Sequence, residues 1–302
     1  MARRFVSIGE CMIEMSDGGD GGYRLGYAGD TLNTAWYARA MLPAEWAVDY
    51  ATALGDDLYS AQMRRFFESN GIGTSQIQTI KGKRPGLYLI HQAGGDRHFT
   101  YWRENSAARQ LAEDREALTA ALGGADLIYF SGISLAILAP RARGRLMKAI
   151  VSARDGGARV AFDPNVRPAL WSGPKAMQGV LMAAAAIADV VLPTHGDEAP
   201  IFGDRSPLAT AERYLEAGAQ EVAVKDGARP ALIATRDERV EVAPHKGAKV
   251  IDPTGAGDSF NGAYLSARLA GKDLRESAEA AHRVAGVVIG YRGALVDPAL
   301  LR

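Results

Sequence analysis

Residues 250–262 read Val250-Ile251-Asp252-Pro253-Thr254-Gly255-Ala256-Gly257-Asp258-Ser259-Phe260-Asn261-Gly262. An apolar lead-in runs into a small-residue turn with two glycines and an acid, after which apolar side chains recur at helical spacing. This pattern predicts a loop that feeds the N-terminus of an α-helix. Free backbone N–H groups and the positive end of the helix dipole hold negative charge there, and glycine lets an anion approach the backbone closely. The segment therefore predicts a phosphate-binding site.

Asp258 is the unexpected residue of this turn, because a carboxylate beside a phosphate site repels the ligand unless it has a chemical task. One hypothesis is that Asp258 accepts a proton from a substrate hydroxyl while the turn stabilises charge on a transferring phosphoryl group. The alternative is a plain helix N-terminus, in which Asp258 only complements the helix dipole. The residues of the turn alone leave both interpretations open.

Composition is that of an ordinary globular protein. The chain has 302 residues with 47% hydrophobic content, enough to bury a large core in one or two domains. Its 35 basic and 35 acidic residues give no net field, so nothing calls for a nucleic-acid or anionic-membrane partner. Cys11 is the single cysteine, which excludes an intrachain disulfide framework and predicts the reducing cytoplasm. We expect neither a signal peptide nor a membrane span.

Short apolar runs alternate with longer helical patterns along the chain. The runs span residues 5–8, 127–130, 160–162, 190–192 and 221–224, and the main helical patterns span 33–42, 58–70, 140–155, 210–217 and 258–270. Strands that are buried between helices on both faces of a parallel sheet have this uniformly apolar character. Several runs end in polar or turn residues, and ligands of such sheets bind at the carboxyl ends of the strands. The sequence therefore predicts an α/β fold with its site at that edge.

Two stretches interrupt this rhythm. Residues 12–27 contain five glycines and β-like fragments, and residues 86–91 with 97–103 have the pattern of a hairpin around Gly94-Gly95-Asp96. We expect strands from these two insertions, at about 12–30 and 84–104, to form a small β-sheet lid over the mouth of a single domain that spans residues 1–302.

Residues 252–260 closely resemble the C-terminal signature of the ribokinase-like, or PfkB-type, carbohydrate kinases, and residues 29–33 match part of that family's N-terminal glycine-asparagine motif. The resemblance extends over essentially the whole chain. Within the family, the similarity is greatest to kinases of 2-keto-3-deoxygluconate, and it rests on residues 9–14, 29–34, 85–88, 101–103, 131–138 and 291–294. The resemblance implies a ribokinase-like three-layer sandwich with a mostly parallel central sheet.

The implied reaction is transfer of the ATP γ-phosphoryl group to the 6-hydroxyl of 2-keto-3-deoxygluconate, an Entner-Doudoroff-type step that gives 2-keto-3-deoxy-6-phosphogluconate. By resemblance, Asp258 is the catalytic base and the N–H groups of Gly255, Ala256 and Gly257 form the anion hole. Phosphoryl transfer asks a protein mainly for positioning and charge stabilisation, which agrees with this assignment.

A sugar acid carries a carboxylate and several hydroxyls, so its pocket needs a cation and directional hydrogen-bond groups. The resemblance implies substrate contacts from Gly29, Asp30, Asn33, Tyr88, Tyr101, Arg103 and Arg167, besides Asp258. It implies nucleotide contacts from Asn165, Arg167, Thr194, Lys225, Gly227 and the turn at 255–257. Plainer alternatives remain: the tyrosines pack as strand residues, the arginines form surface ion pairs, and the lysine is an exposed strand-end residue.

The chain departs from the family pattern at two places. Ala28 stands where many relatives have the first glycine of a pair, which costs backbone freedom but keeps the hydrogen-bonding residues. The magnesium-associated Asn-x-x-Glu motif is absent as written, and residues 193–198 occupy that strand end. Asp197 or Glu198 is expected to hold a metal-bound water instead, since Mg²⁺ needs few protein ligands. Two further expectations from the family are a monovalent cation such as K⁺ beside residues 252–254 and a homo-oligomer formed through the β lid.

Rival functions are a fructokinase or ribokinase, a dinucleotide-dependent oxidoreductase, and a non-catalytic sugar sensor. Neutral sugars do not need the arginine pair, which favours the acid. The oxidoreductase lacks support, because Gly9-Glu10-Cys11-Met12 follows the first strand in place of a G-x-G-x-x-G motif. A non-catalytic sensor does not need the catalytic base, so the presence of Asp258 favours an enzyme.

Overall fold

The computed structural model describes residues 3–18, 21–93, 96–245, 247 and 249–301. The strands are β1 (Arg3–Ile8), β2 (Met12–Asp17), β3 (Tyr23–Ala28), β4 (Trp46–Ala51), β5 (Ala53–Leu54), β6 (Gln78–Thr79), β7 (Gly86–Ala93), β8 (Asp96–Trp102), β9 (Leu127–Ser131), β10 (Arg159–Asp163), β11 (Val190–Val191), β12 (Glu221–Val224), β13 (Ala231–Thr235) and β14 (Arg239–Val242). The helices are α1 (Asp30–Met41), α2 (Leu58–Ser69), α3 (Arg115–Leu122), α4 (Gly132–Ala136), α5 (Pro140–Asp155), α6 (Pro174–Ala185), α7 (His195–Phe202), α8 (Pro207–Ala217), α9 (Ala256–Leu269) and α10 (Leu274–Val288). Short 3₁₀ helices span Ala107–Gln110, Pro168–Leu170 and Pro298–Leu301.

The central sheet has eight strands in the order β14-β13-β12-β11-β10-β9-β1-β4. The strands from β12 to β4 pair in parallel, and β13 and β14 extend the sheet as antiparallel strands. This topology confirms the predicted α/β fold with a mostly parallel main sheet. All five predicted apolar runs lie wholly or largely in its strands. Parallel neighbours end at the same edge, so the residues that follow β1, β9, β10, β11 and β12 converge there.

Helices cover both faces of this sheet, and each face has its own apolar core. Successive strand residues point to opposite faces, so Phe5 belongs to one core and Val6 to the other, and Tyr129 and Phe130 divide in the same way. The first core packs against α1, α9 and α10, and the second against α3, α5, α6 and α8. Three layers result, with the sheet in the middle.

A smaller four-stranded sheet has the order β3-β2-β7-β8. Its β2–β3 and β7–β8 pairs are antiparallel, and β2 pairs with β7 in parallel. Gly19 of the expected glycine-rich segment and Gly94-Gly95 of the expected hairpin turn lie outside the described residues. Tyr88 and Ile90 of this sheet pack on Met12, Ala28 and Ala294, next to the turn at 255–257.

Several elements differ from the sequence-based expectation. Helix α8 begins at Pro207 and not at Thr210, because the Ser206 hydroxyl accepts a hydrogen bond from the Ala209 N–H at 3.2 Å and caps an earlier turn. Strand β4 was not expected, since Asp49 interrupts its apolar pattern; Arg4 pairs with that carboxylate at 2.6 Å. None of the helices in the described residues is both long and apolar enough to cross a membrane.

Candidate active site

A cleft of about 860 Å³ opens at the carboxyl ends of the central strands, against the four-stranded sheet. Its walls come from both sheets and from the N-termini of α1 and α9. It brings together most of the predicted site residues: Gly29, Asp30, Asn33, Tyr88, Tyr101, Arg103, Asn165, Arg167, Thr194, Asp197, Lys225, Gly255, Ala256, Gly257 and Asp258 all line it. Gly227 and Glu198 are not among the described residues that line the cleft.

The turn at 255–257 forms the start of α9. Gly255 caps the helix in the left-handed region, with φ of 78°, and a Cβ at this position would lie 2.7 Å from the Ala294 carbonyl oxygen. Only glycine therefore fits. The Ala256 N–H donates to the Pro253 carbonyl at 3.2 Å, whereas Gly255 and Gly257 occupy helix-start positions that have no intrahelical acceptor. These two N–H groups are the better anion donors.

The segment before the turn is held by Asp252. One carboxylate oxygen accepts from the Thr254 hydroxyl at 2.7 Å and from the Thr254 N–H at 3.1 Å, and the other accepts from the Gly293 N–H at 2.8 Å. These bonds tie the segment before α9 to the loop at Gly293, so the entry to the turn is held in place.

Asp258 faces the cleft from the first turn of α9. Its Oδ2 accepts a hydrogen bond from the Asn33 amide of α1 at 2.7 Å. Burial, and then the nearby Asp30 and Asp163 carboxylates, raise the pKa of Asp258 to about 7, against the lowering effects of Asn33 and Lys225. A carboxyl group with this pKa can take up a proton near neutral pH.

Close packing of α1 on α9 sets the distance between Asn33 and Asp258. A Cβ on Gly262 would lie 2.7 Å from the Thr34 carbonyl oxygen, so the two helices touch through backbone at this point. Gly29 precedes α1 at a similarly tight place, where a Cβ would lie 2.2 Å from the Glu10 carbonyl oxygen. Two glycines therefore place the N-terminus of α1 beside that of α9.

Lys225 lies at the cleft wall in a buried polar network. Its Nζ donates to Asp163 Oδ2 at 2.8 Å and to Asn261 Oδ1 at 2.9 Å, and the Asn261 amide donates to Asp163 Oδ2 at 2.6 Å. The alternative of an exposed strand-end lysine is therefore wrong. The Asp163 carboxylate balances the charge of Lys225. The Lys225 ammonium group lies close to the turn, 3.7 Å from the position that a Cβ on Gly257 would occupy.

Asp30 and Asn165 meet on the opposite side of this network. The Asn165 amide donates to Asp30 Oδ2 at 2.7 Å, and the Asn165 N–H donates to Asp163 Oδ1 at 2.9 Å. Asn165 adopts a φ of 34°, outside the usual range of a residue with a Cβ, and these bonds hold it there. Burial raises the pKa of Asp30, although hydrogen bonds from Ser131 and Asn165 oppose the shift.

The four-stranded sheet contributes aromatic rings and an arginine. The Tyr88 hydroxyl donates to the Glu14 carboxylate, and the Tyr88 and Tyr101 rings lie 5.7 Å apart. The Arg103 guanidinium pairs with the buried Glu10 carboxylate and lies over the Tyr101 ring at 5.9 Å. Tyr88 is buried whereas Tyr101 is exposed, so the aromatic surface that the two rings form is packed at Tyr88 and open to solvent at Tyr101.

Asp197 and Glu198 are adjacent in sequence but face different surroundings. Asp197 lines the cleft and lies 3.6 Å from Arg167, and both side chains are about half exposed. Glu198 is buried and accepts from Arg213 and from the Tyr214 hydroxyl, each at 2.8 Å. Within the described chain, no three His, Cys, Asp or Glu side chains cluster as a metal site would require.

Sequence reasoning did not assign several polar residues of the site, among them Glu10, Arg109, Asp163 and Asn261. Asp163 and Glu10 each stand at or just after the end of a buried strand, which is a signal that sequence reasoning can use. Asn261 lies one turn after Asp258 on the inner face of α9 and gave no comparable signal.

Comparisons with known proteins agree with this geometry. Residues 2–299 match the profile of the pfkB family carbohydrate kinases. The 2-dehydro-3-deoxygluconokinase of Escherichia coli is 39% identical over 303 residues, with 98% of each chain covered. The PfkB protein from Polaromonas sp. JS666 superposes with a TM-score of 0.83 and 26% identity over 100% of this chain and 99% of its own.

A ribokinase II from Escherichia coli in complex with ATP and Mg²⁺ has the same fold, with a TM-score of 0.82 and 22% identity over 98% of this chain and 95% of its own. The expected ribokinase-like architecture is therefore confirmed. Together with the match along nearly the whole sequence, the glycine turn at the start of α9 and the acid that follows it have one consistent explanation: this chain belongs to the pfkB family of carbohydrate kinases.

Proposed function

We propose that this kinase transfers the γ-phosphoryl group of ATP to the 6-hydroxyl of 2-keto-3-deoxygluconate, giving 2-keto-3-deoxy-6-phosphogluconate and ADP. The observation that carries the proposal is the position of Asp258, a carboxylate with a pKa of about 7 beside the anion-binding turn, in a cleft whose other wall carries arginines and tyrosines. The Escherichia coli relative, which matches over almost the full chain, is named for this reaction.

In the proposed step, Asp258 accepts the proton of the substrate hydroxyl as the oxygen attacks the γ-phosphorus, and the bond from that phosphorus to the β–γ bridging oxygen breaks. Asn33 holds one carboxylate oxygen of the base at 2.7 Å and so fixes its orientation. The N–H groups of Gly255 and Gly257, at the positive end of α9, stabilise charge on the phosphoryl oxygens. Fixed donors of this kind need no rearrangement at the moment of reaction.

Nucleotide contacts are assigned to residues on the strand-end side of the cleft. Asn165, Thr194 and Lys225 line it there, and Gly227 follows two residues after the lysine. Mg²⁺ neutralises phosphate charge when it is bound with ATP. Asp197 suits a water-mediated contact to the ion because its half-exposed carboxylate lines the cleft, whereas Glu198 is buried against Arg213. We also propose that a monovalent cation such as K⁺ binds beside residues 252–254.

Substrate contacts are assigned to the wall formed by α1 and the small sheet. Gly29, Asp30 and Asn33 face the hydroxyl-bearing part, since amide and carboxylate groups suit hydroxyls. Tyr88, Tyr101, Arg103 and Arg167 surround the acid end. The two arginines can donate to the carboxylate of a sugar acid, which a neutral sugar lacks, and this favours the keto acid over fructose or ribose.

The small sheet is proposed as a lid that closes over the substrate and as the surface of a homo-oligomer. It forms one wall of the cleft, and closure there excludes water and suppresses ATP hydrolysis. Tyr23, Leu25 and Trp102, on the face of this sheet away from the cleft, are 53%, 44% and 55% exposed, an apolar surface that a second copy can cover. The free thiol of Cys11 is buried, which suits the reducing cytoplasm that we propose.

The deciding experiment compares turnover on 2-keto-3-deoxygluconate, 2-keto-3-deoxygalactonate, fructose and ribose with Mg·ATP. We expect phosphorylation of the keto acids at far higher kcat/KM than of the neutral sugars. Turnover on fructose with none on either keto acid would overturn the assignment. Light scattering tests the oligomer, because a mass of 32.1 kDa would show a monomer.

A further inference from the structure

The charge balance of the cleft is unusual for a site that takes an anionic substrate and an anionic nucleotide. Among the described residues, six acidic and four basic side chains line it. Three of the basic groups have an acidic partner: Arg103 pairs with Glu10, Arg167 with Asp197, and Lys225 with Asp163. A carboxylate that enters this cleft therefore meets mainly neutralised cations.

Arg109 is the fourth basic side chain. It lines the same cleft and is partly buried, yet within the described ranges its guanidinium has neither a hydrogen bond nor an ion pair. An arginine that is partly withdrawn from water without a partner has unused donors and an uncompensated charge. Arg109 is thus the basic group of the cleft that can bind an anion without first breaking a contact in the protein.

The backbone connects Arg109 to Arg103, which also lines the cleft, through a short turn. The Ser106 N–H donates to the Arg103 carbonyl at 3.1 Å, and the Arg109 N–H donates to the Ser106 carbonyl at 3.3 Å. The first bond closes a turn after Arg103, Ser106 is extended with φ of −62° and ψ of 148°, and the second bond begins the 3₁₀ helix Ala107–Gln110 that carries Arg109. Arg103 and Ser106 both contact the Glu10 carboxylate, and Glu10, Arg103 and Arg109 all line the cleft.

This run is firmly attached to the main domain. Ala107 and Ala108, which precede Arg109, are buried in the second core, and the Ala107 N–H donates to the Arg84 carbonyl at 2.8 Å. The Gln78 amide donates to the Leu111 carbonyl at 2.7 Å on the other side. A cation that is mounted on a fixed backbone makes a more selective contact than one on a mobile loop.

We propose that Arg109 is a specificity-determining residue that binds the carboxylate of the acceptor substrate. The inference rests on the proposed function, because it assumes that the acceptor is a sugar acid. Arg103, whose charge Glu10 already balances, positions the acid end through hydrogen bonding and its stacked Tyr101 ring. Arg109 supplies the net positive charge that makes an acid preferable to a neutral sugar at this site.

The test uses Arg109→Gln, the conservative Arg109→Lys, and Arg115→Gln as the matched control at an exposed position outside the cleft. Steady-state kinetics with 2-keto-3-deoxygluconate should show KM raised on the order of ten- to hundredfold in Arg109→Gln, since a charge-assisted contact is lost. We expect kcat to change less than about threefold, because the reacting groups lie elsewhere. Arg109→Lys should recover most of the loss, and Arg115→Gln should match the wild type.

Two readouts separate this role from a structural one. Thermal melting of the Arg109→Gln apoprotein should match the wild type, because the side chain has no described partner to lose. The keto acid should raise the melting temperature of the wild type and much less that of the variant. An Arg109→Gln enzyme with wild-type KM for the keto acid overturns the inference and leaves the proposed function standing. A wild-type enzyme that phosphorylates only neutral sugars overturns both.

Discussion

Replacement of Asp258 by asparagine removes the proposed base while keeping the shape of the site. The amide oxygen of the introduced side chain can still accept the hydrogen bond that Asn33 donates at 2.7 Å, so the packing of α1 on α9 is unchanged. General-base catalysis contributes about 10²- to 10⁴-fold, and we expect kcat to fall by at least ~10²-fold with little change in ATP affinity. Coupled detection of ADP release measures both, with Asp155→Asn at an exposed position as control.

The pH dependence makes this prediction sharper. Because burial and neighbouring acids raise the pKa of Asp258 to about 7, the carboxylate is the minor form below that pH. Wild-type kcat/KM should therefore fall about tenfold for each pH unit below 7, and the residual activity of Asp258→Asn should lack this limb.

The stability of the folded protein should change with pH in the opposite direction to its activity. A carboxyl group whose pKa rises from 3.8 to about 7 on folding stabilises the protein fully below pH 3.8, and this contribution is lost as pH rises through 7. The pKa shift limits this contribution to the free energy of unfolding to at most about 4 kcal/mol. An asparagine does not ionise, so Asp258→Asn should not lose this stability as the pH rises. At pH 8 the variant should thus melt higher than the wild type. A variant that keeps more than about a tenth of wild-type kcat, or the same acid limb, would refute the role of Asp258.

Two further substitutions test the turn and the metal contact. Gly255→Ala should lower kcat at least about tenfold and reduce the melting temperature, because its Cβ would lie 2.7 Å from the Ala294 carbonyl oxygen. Gly271→Ala is the control: Gly271 has a φ of 82° and open space around it, so this variant measures the cost of the left-handed backbone alone. Asp197→Ala should raise the Mg²⁺ concentration needed for half-maximal activity severalfold. Glu198→Ala should leave that concentration unchanged and destabilise the fold by about 1–3 kcal/mol, since the buried Tyr214 hydroxyl loses its acceptor while Arg213 keeps its ion pair with Asp204. Equal Mg²⁺ titrations for Asp197→Ala and the wild type would contradict this division.

Much of the architecture could be predicted from the sequence because it depends on local pattern. The apolar residues at 222–224 predict a buried strand, and the glycine turn at 255–257 predicts a helix start; both are found, and the strand pairs in parallel with β11. Strand β4 was missed because Asp49 breaks its apolar pattern, and only Arg4, distant in sequence, makes that acid acceptable.

The cleft was less predictable, because its electrostatics depend on residues that are far apart in sequence. The sequence around Lys225 does not indicate whether its side chain is buried or exposed. Its ammonium group is buried because it pairs with the Asp163 carboxylate, 62 residues away in sequence. The pairing of Arg103 with Glu10 spans 93 residues, so the neutralised state of that cation has no local signal. The motifs predicted most of the residues that line the cleft, but the balance of charge could be seen only in the folded chain.

The contact at Gly262 has a consequence for how such a kinase can change its substrate. The proposed base, Asp258, and its amide partner, Asn33, belong to helices whose backbones touch, in the core of the main domain. Tyr88 and Tyr101 belong instead to β7 and β8 of the smaller sheet. Substitutions in those strands leave the α1–α9 contact unaltered, so selectivity can diverge while the chemical step is inherited intact.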